Sequence, residues 1–234
     1  MLIEGKNAVL EAVKANRVSK LLVQKGVNHE IIAHARKKGV KIQFVDKEVL
    51  DKKVDAKHQG FVAEICDFQY SSLEEILENP KDKSKFIVIL DGVEDPHNLG
   101  SILRVCDCGG VDGVIIPKNR AVNVNDTVLR TSAGAASHVK VAKVTNVNSA
   151  IERLQKNGVW VYASDMDGKS VYQADLTGNI ALVVGGEGKG VSPLTKSKCD
   201  HVVSVPQKGE VNSLNASVAC GIMVYEVVRQ RGVK

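Results

Sequence analysis

The sequence predicts an α/β protein in two parts, with a mostly parallel sheet in the second part. Along residues 86–234, apolar runs typical of buried strands alternate with helical patterns, and this βαβ rhythm indicates a parallel sheet with helices on both faces. A weaker alternation of short strands and helices occupies residues 1–69, which indicates a smaller α/β domain. The chain has 234 residues, enough for one large domain or two smaller ones.

Short elements make up the first part. Helical spacing of apolar residues in GKNAVLEAVKAN and HEIIAHARKKG predicts two helices, and the second has Lys37 and Lys38 near its C-terminal end, where positive charge is favourable. The runs KLLVQ, KIQFVD and GFVAEIC predict strands, and KEVLDKKV predicts a short helix. Residues 70–85, a short acidic helix followed by a stretch rich in Pro, Lys and Asp, predict a linker.

Stronger strand and helix patterns follow in the second part. The predicted strands are the apolar runs FIVIL, GVIIP, VKVAKV, VWVYAS, IALVVG and HVVSVP. The helical patterns are NLGSILRVCDC, DTVLRTSAGAA, NSAIERLQKNG and LNASVACGIMVYEVVRQ. In a sheet of this kind, ligands bind beyond the carboxyl ends of the strands.

Composition limits the class of protein. Hydrophobic residues make up 44% and charged residues 25% of the chain, as in ordinary globular proteins, and the formal net charge of +5 is compatible with a nucleic-acid partner. No apolar run approaches the ~20 residues of a membrane span, and the N-terminus lacks the layout of a signal peptide. Five cysteines, an odd number, fit a reducing compartment. We therefore expect a cytoplasmic protein without a membrane partner.

Two polar segments follow predicted strands directly. The first, DGVEDPHNLGSILRVCDCGG, contains Asn98, which can cap the helix after Pro96, and Arg104 on the body of that helix. The second, VVGGEGKGVSPL, is a glycine-rich loop that contains Glu187. Glycine permits close approach of the backbone to a ligand, but a flexible turn is an equally simple interpretation of the loop.

A third segment, VPQKGEVNSLNASVA, places Ser213, Asn215 and Ser217 where a loop becomes the last helix. Two interpretations stay open for all three segments. Each polar side chain can be an ordinary structural group, such as a helix cap or an arginine that reaches water. Together at the same edge of the sheet, the side chains can instead hold a ligand.

Other classes of site are disfavoured. The glycine-rich loop lacks the GK[ST] of a Walker loop and the GxGxxG of a dinucleotide turn. No GxSxG or HExxH pattern occurs, and Cys106 and Cys108 have no second pair at metal-ligand spacing, so no metal site is expected. Aromatic residues make up only 4% of the chain, which disfavours a protein that binds single strands by base stacking.

The three segments resemble the motifs of a known family. NLGSILR, GGEGKGVS and SLNASVA, in this order and at this spacing, are similar to the three motifs of the SpoU (TrmH-type) branch of the SPOUT RNA methyltransferases. The first part, with IEGKNAVLEAV and HQGFVAEI, resembles the small substrate-binding domain of the RlmB-like group, which methylates a guanosine ribose in large-subunit ribosomal RNA. The resemblance divides the chain into an RNA-binding domain (1–69), the linker (70–85) and a catalytic domain (86–234).

The resemblance also implies properties that the sequence pattern does not. The catalytic domain of this family ends in a trefoil knot, whereas the rules of strand connection would give an unknotted sheet. The family implies a homodimer with the active site near the interface, ribosomal RNA as substrate and S-adenosylmethionine as methyl donor. The alternatives are a tRNA ribose 2′-O-methyltransferase and a non-catalytic RNA-binding protein of the same fold. A nucleotide-binding oxidoreductase is disfavoured because the dinucleotide turn is missing.

Site residues follow from the motif match. The resemblance implies that the backbone near Gly185, Val205 and Leu214 contacts S-adenosylmethionine. The residues that match positions used for RNA binding and catalysis are Asn98, Arg104, Glu187, Ser213 and Asn215. Because a guanidinium group is effectively always protonated, we expect Arg104 to grip phosphate and stabilise the developing alkoxide rather than act as a base.

Overall fold

The described residues form two β-sheets, one in each of two compact units, Met1–Gln69 and Tyr70–Lys234. The structure is a computed structural model. It describes residues 2–14, 17–54, 58–65, 68–78, 80, 83–210 and 213–232.

The first unit contains a four-stranded sheet with helices on both faces. Its elements are β1 (Leu2–Glu4), α1 (Lys6–Lys14), β2 (Val18–Gln24), α2 (Glu30–Lys37), β3 (Lys41–Val45), α3 (Lys47–Asp51) and β4 (Phe61–Ile65). The strand order is β1-β4-β2-β3, in which β2 and β3 are parallel and the other neighbours are antiparallel. Alternation along β2 creates two layers, because Leu21 packs with α1 and α2 whereas Leu22 packs with Leu50 of α3.

The second unit contains a six-stranded sheet in which every neighbouring pair of strands is parallel. Its elements are α4 (Leu73–Glu78), β5 (Phe86–Asp91), α5 (Pro96–Cys108), β6 (Gly113–Pro117), α6 (Asp126–Thr131), β7 (Lys140–Val144), α7 (Val147–Lys156), β8 (Trp160–Ser170), β9 (Ile180–Gly185), α8 (Pro193–Lys198), β10 (His201–Ser204) and α9 (Ala216–Arg231). The prediction of a mostly parallel α/β sheet is confirmed.

The strand order of this sheet, β10-β8-β9-β5-β6-β7, contains a reversal of direction. The chain first builds outward from β5 to β7, then crosses over and builds β8, β9 and β10 on the other side of β5. The neighbours β5 and β9 therefore flank the point where the order reverses, and a crevice is expected beyond their carboxyl ends. The first two polar motifs of the sequence follow these two strands.

The predicted linker, 70–85, contributes to the second unit instead. Helix α4 lies within it, and its Leu73, Ile76 and Leu77 belong to the same hydrophobic cluster as Ile151 of α7. A helix of this length is not stable alone in water. Burial of its three apolar side chains explains why the segment is helical and why it is not a free connection.

Helices α5 and α9 lie side by side and run in the same direction. Asn98 contacts Asn215 near the two N-terminal ends, and Gly109 after the end of α5 lies against Val224. A Cβ at position 109 would overlap the Val224 side chain, so glycine permits this close approach. Within the described residues, no helix is long and apolar enough to span a bilayer.

The trefoil knot stays a prediction. The segment that would thread it precedes α9, and its residues 211–212 lie outside the described part of the chain.

Candidate functional site

A cavity of about 890 Å³ lies at the carboxyl edge of the second sheet. Its walls come from three segments: residues 164–167 of β8, residues 184–190 at the end of β9 and beyond it, and parts of the segment 204–219. The volume lies within the usual range for small-molecule sites. The predicted site residues on its walls are Gly185, Glu187, Val205, Ser213, Leu214 and Asn215.

The glycine-rich loop is a tightly built turn rather than a flexible one. The amide of Gly186 donates to the Asp91 carbonyl (3.0 Å), and the amide of Gly190 donates back to the Gly186 carbonyl (3.0 Å). A Cβ at Gly185 would overlap the Gly190 backbone, and a Cβ at Gly186 would overlap the Gly92 carbonyl. The loop can therefore approach the β5 loop this closely only because these positions lack side chains.

Three side chains form a hydrogen-bonded network beside the cavity. The Asn215 Nδ2 donates to Oδ1 of Asn98 (2.9 Å) and to Oε1 of Glu187 (2.8 Å). The Asn98 Nδ2 donates to the same Glu187 oxygen (2.9 Å). The network joins one residue from each of the three motifs. Asn98 lies 89 positions from Glu187 and 117 positions from Asn215 along the chain.

The same Asn215 side chain caps the last helix. Its Oδ1 accepts from the backbone N–H groups of Ser217 (2.9 Å) and Val218 (3.3 Å). Because the cap directs Oδ1 toward the helix, the amide nitrogen must face Asn98 and Glu187. Asn215 is therefore a helix cap and also lines the cavity, so the two interpretations of this helix start do not exclude each other.

The expected capping role of Asn98 is wrong. Helix α5 begins at Pro96, and Asp95 caps it by accepting the His97 backbone N–H at 2.9 Å. Proline is favoured at the first helical position, where its missing N–H needs no partner. Asn98 therefore lies inside the first turn, where it is only 5% exposed and is free to bond Glu187 and Asn215.

Two predicted site residues, Asn98 and Arg104, are not among the described lining residues; hydrogen bonds join Asn98 to the lining residues Glu187 and Asn215, whereas Arg104 has no such link among the bonds described above. The Arg104 side chain is exposed on α5. Its neighbour Val105 lies close to Gly221 of α9. Arg104 instead shares a helix face with His97 and Gly100, which lie against Thr131 of α6.

Comparisons with known proteins agree with this geometry. The family model described as the SpoU rRNA Methylase family matches residues 85–225, and the model described as RNA 2′-O ribose methyltransferase substrate binding matches residues 2–71. The chain belongs to the SpoU methylase family. Its enzymatic class is therefore that of an RNA methyltransferase that uses S-adenosylmethionine.

Several relatives resemble this SpoU methylase over nearly its whole length. A Bacillus subtilis protein named as a TrmH family tRNA/rRNA methyltransferase, YacO, is 42% identical over 236 residues, which covers 97% of this chain and 94% of the relative. The crystal structure of the SpoU methyltransferase AviRb from Streptomyces viridochromogenes with AdoMet has a TM-score of 0.74 at 25% identity and covers 99% of this chain and 90% of AviRb. An rRNA methyltransferase from Sinorhizobium meliloti has a TM-score of 0.70 at 25% identity, with coverage of 97% and 86%.

Sequence reasoning missed the wall of the cavity that β8 provides in this SpoU methylase. The predicted strand VWVYAS ends at Ser164, and no element was predicted for the segment DMDGKS that follows, whereas β8 continues to Ser170. The signal that was present is Gly168, because a glycine within a strand often marks a bulge or a close backbone approach. A Cβ at Gly168 would lie 2.6 Å from the Val203 backbone.

The chemistry of the cavity fits S-adenosylmethionine. Val184, Leu214 and Ala219 supply apolar surface for an adenine ring and a methylene chain. The carboxylates of Asp167 and Glu187 lie on the walls, and negative charge favours a ligand that carries a sulfonium. Gly185 also lines the cavity, and its missing side chain lets the loop fold against Gly190.

The glycine loop leads to a prediction about cofactor affinity. Gly186→Ala forces a Cβ onto the Gly92 carbonyl, and a backbone atom cannot move aside as a flexible side chain can. We expect the affinity for S-adenosylmethionine to fall about tenfold or more, since such overpacking costs roughly 1–3 kcal/mol. Isothermal titration calorimetry measures the change. Gly209→Ala is the control, because a Cβ there meets no described atom within 4 Å on the same cavity; equal affinities of the two variants would contradict the prediction.

Proposed function

We propose that this SpoU methylase transfers the methyl group of S-adenosylmethionine to a ribose 2′-hydroxyl of large-subunit ribosomal RNA, with a guanosine as its target. The observation that carries the proposal is the Asn98–Glu187–Asn215 network, which sets polar side chains beside a cavity of suitable size and chemistry. The likeness to the Sinorhizobium meliloti rRNA methyltransferase covers both units and supports ribosomal RNA as substrate. Methylation of a tRNA ribose is the second candidate, because the name of the Bacillus subtilis relative includes both RNA classes.

The protein's part in this reaction is to align the ribose hydroxyl with the methyl group and to stabilise the charge that develops on the ribose oxygen. S-adenosylmethionine supplies a methyl group already activated by its bond to a sulfonium. Holding the ribose oxygen in line can contribute about 7–11 kcal/mol to lowering the barrier in favourable cases. We assign Asn98, Glu187 and Asn215 to fixing the start of α9 and the loop before it, and Ser213 to holding the ribose. Leu214, Val205 and Gly185 form the cofactor contacts.

The surface of α9 supports a homodimer. Its inner side is buried through Cys220, Met223 and Val227, yet Val218 and Tyr225 on its outer side are 49% and 52% exposed. A helix that is apolar on all sides is expected to be buried on all sides. Exposed apolar surface of this kind marks an interaction site, and a second copy of the chain is the partner that we propose.

This arrangement gives Arg104 a role in the partner's site. Arg104 is exposed on α5 and is not among the described residues that line the cavity of its own chain. In a two-fold dimer the same surface meets itself, so each Arg104 can approach the cavity of the other chain. The permanent charge of the guanidinium suits it to bind an RNA phosphate and to stabilise a developing alkoxide.

Mixed dimers test this assignment. Arg104→Ala and Glu187→Ala should each be inactive alone, while the affinity of Arg104→Ala for S-adenosylmethionine stays close to that of the parent. Equal mixtures, allowed to exchange subunits, should recover about a quarter of the parent activity, because half of the dimers then hold one intact site. A methyl-transfer assay on a ribosomal RNA transcript measures the recovery. Activity no higher than that of the separate variants would place Arg104 in its own chain's site.

The first unit is the proposed RNA reader. Arg36, Lys37 and Lys38 are exposed at the C-terminal end of α2. Basic side chains that contact phosphate release counterions, so their contribution appears in the salt dependence of affinity. The other basic residues assigned to phosphate contacts are Arg17, Lys20 and Lys25.

Charge removal on α2 gives a prediction for RNA binding. The double variant Lys37→Gln/Lys38→Gln should weaken binding, and the slope of log affinity against log salt should fall by roughly 0.7–0.9 for each phosphate that the protein no longer neutralises. Filter binding of a ribosomal RNA fragment at several salt concentrations measures both effects. Lys52→Gln/Lys53→Gln is the matched control, since these exposed lysines follow α3 on the other face of the sheet. Equal slopes for the two double variants would remove α2 from the RNA interface.

Mapping of 2′-O-methyl groups tests the proposed function itself. Cells that lack the protein should lose one 2′-O-methylguanosine from large-subunit ribosomal RNA. The parent chain should restore the modification, and Arg104→Ala should not. Loss of a tRNA modification would favour the second candidate, whereas an unchanged methylation pattern in both RNA classes would overturn the proposal.

A further inference from the structure

Residues 164–168 form a bulge of β8 between two stretches that both pair with β10. Tyr162 and Ala163 pair with the first part of β10, and Lys169 and Ser170 pair with the last part, with a shift of register between them. The intervening residues therefore have no partner in β10 and loop toward the cavity, where residues 164–167 form one wall. Because residues 164–167 lack strand pairing with β10, another interaction must hold them in place.

Asp165 provides that support through both of its carboxylate oxygens. Oδ2 accepts from Lys196 Nζ at 2.8 Å, and Oδ1 accepts from the Asp167 backbone N–H at 3.1 Å. The two side chains of the ion pair are only 20% and 32% exposed. The hydrogen bond from Lys196 lowers the pKa of the Asp165 carboxyl, so the group is ionised at neutral pH.

Lys196 lies on the element that continues the glycine-rich loop. Helix α8 follows that loop directly, and Ser192 at its start donates its backbone N–H to Oδ2 of Asp91 (3.0 Å). The other end of the β8 loop is held by β10, since Ser204 Oγ donates to the Gly168 carbonyl (2.9 Å). The Asp165–Lys196 pair is thus a direct side-chain link between the β8 wall of the cavity and the helix that follows the glycine-rich loop.

We propose that the Asp165–Lys196 ion pair positions the β8 wall for S-adenosylmethionine, so that both are positioning residues for cofactor binding. This inference rests on the proposed assignment of the cavity to the cofactor. With the pair intact, residues 164–167 stay at a fixed separation from the glycine-rich loop. Without the pair, the wall moves away and holds the bound cofactor less tightly. The transfer step itself is not affected once the cofactor is bound.

A second ion pair on the same helix provides a matched control. Lys198 Nζ lies 2.8 Å from Glu152 Oε1, the same distance as in the Asp165–Lys196 pair. It joins α8 to α7, its side chains are 44% and 49% exposed, and neither residue lines the described cavity. Exposed pairs of this kind contribute little to stability.

Calorimetric titration of the full-length protein with S-adenosylmethionine tests the inference. Asp165→Asn and Lys196→Met should each raise the dissociation constant about tenfold, the scale on which a charge-assisted hydrogen bond partly shared with solvent acts. The double variant should be no weaker than either single variant, because the two residues act as one pair. Lys196→Arg, which keeps the charge, should bind nearly as tightly as the parent. At saturating cofactor, kcat should match the parent while the KM for S-adenosylmethionine is raised.

The controls separate the possible failures. Lys198→Met and Glu152→Gln should change the dissociation constant by less than about twofold. Equal losses in these controls would show a general loosening of α8, and losses that multiply in the double variant would show independent residues; either result overturns the inference. If Gly186→Ala weakens binding but the pair variants do not, only the inference fails. If neither Gly186→Ala nor the pair variants weaken binding, the assignment of the cavity to the cofactor fails as well.

Discussion

The side-chain amide of Asn215 is the interaction on which the site depends, because one planar group serves the last helix and the cavity together. Its oxygen accepts a hydrogen bond from a backbone N–H at the start of α9, and its nitrogen donates to both Asn98 and Glu187. Serine or threonine could cap the helix but would lack the two amide donors, and aspartate could cap it but would repel the Glu187 carboxylate. Asparagine is the helix-capping residue that satisfies both requirements. The unusually polar start of an apolar helix is therefore explained by the geometry of a single side chain.

The network can form because the backbone brings its members together first. β5 and β9 are neighbours at the point where the strand order reverses, so the loops after them share one crevice. Gly186 lets these two loops touch at Gly92, and α9 runs beside α5 so that Asn215 meets Asn98. A side chain at position 186, or one that pushed α9 away from α5, would hold the motifs too far apart for these hydrogen bonds to form. The strand order and the missing side chains thus bring Asn98, Glu187 and Asn215 within hydrogen-bonding distance of one another.

Local patterns in the sequence predicted every described strand except β1, and most helices, because burial on a parallel sheet demands continuous apolar runs. They could not predict the strand order, since an apolar run does not specify its neighbour. The start of α5 was placed wrongly, although Pro96 with Asp95 before it is a regular helix start. Leu73, Ile76 and Leu77 have helical spacing, but the segment is too short to distinguish a packed helix from a linker. The meeting of Asn98 and Asn215 across 117 positions is a tertiary fact that no local pattern contains.

The sequence motifs contain residues for two tasks, cofactor binding and catalysis, and the structure places Arg104 outside the described lining of the cavity. The walls of the cavity all come from one chain and are fastened to one another by backbone contacts, by the amide network and by the Asp165–Lys196 pair. Arg104, from the first motif, is exposed on α5 and is not among the described residues that line the cavity. The proposed catalytic arrangement adds Arg104 of a second chain to this cavity. On this assignment, the same apolar surface that holds a dimer together also decides whether the arginine reaches a substrate, so assembly and activity depend on one surface.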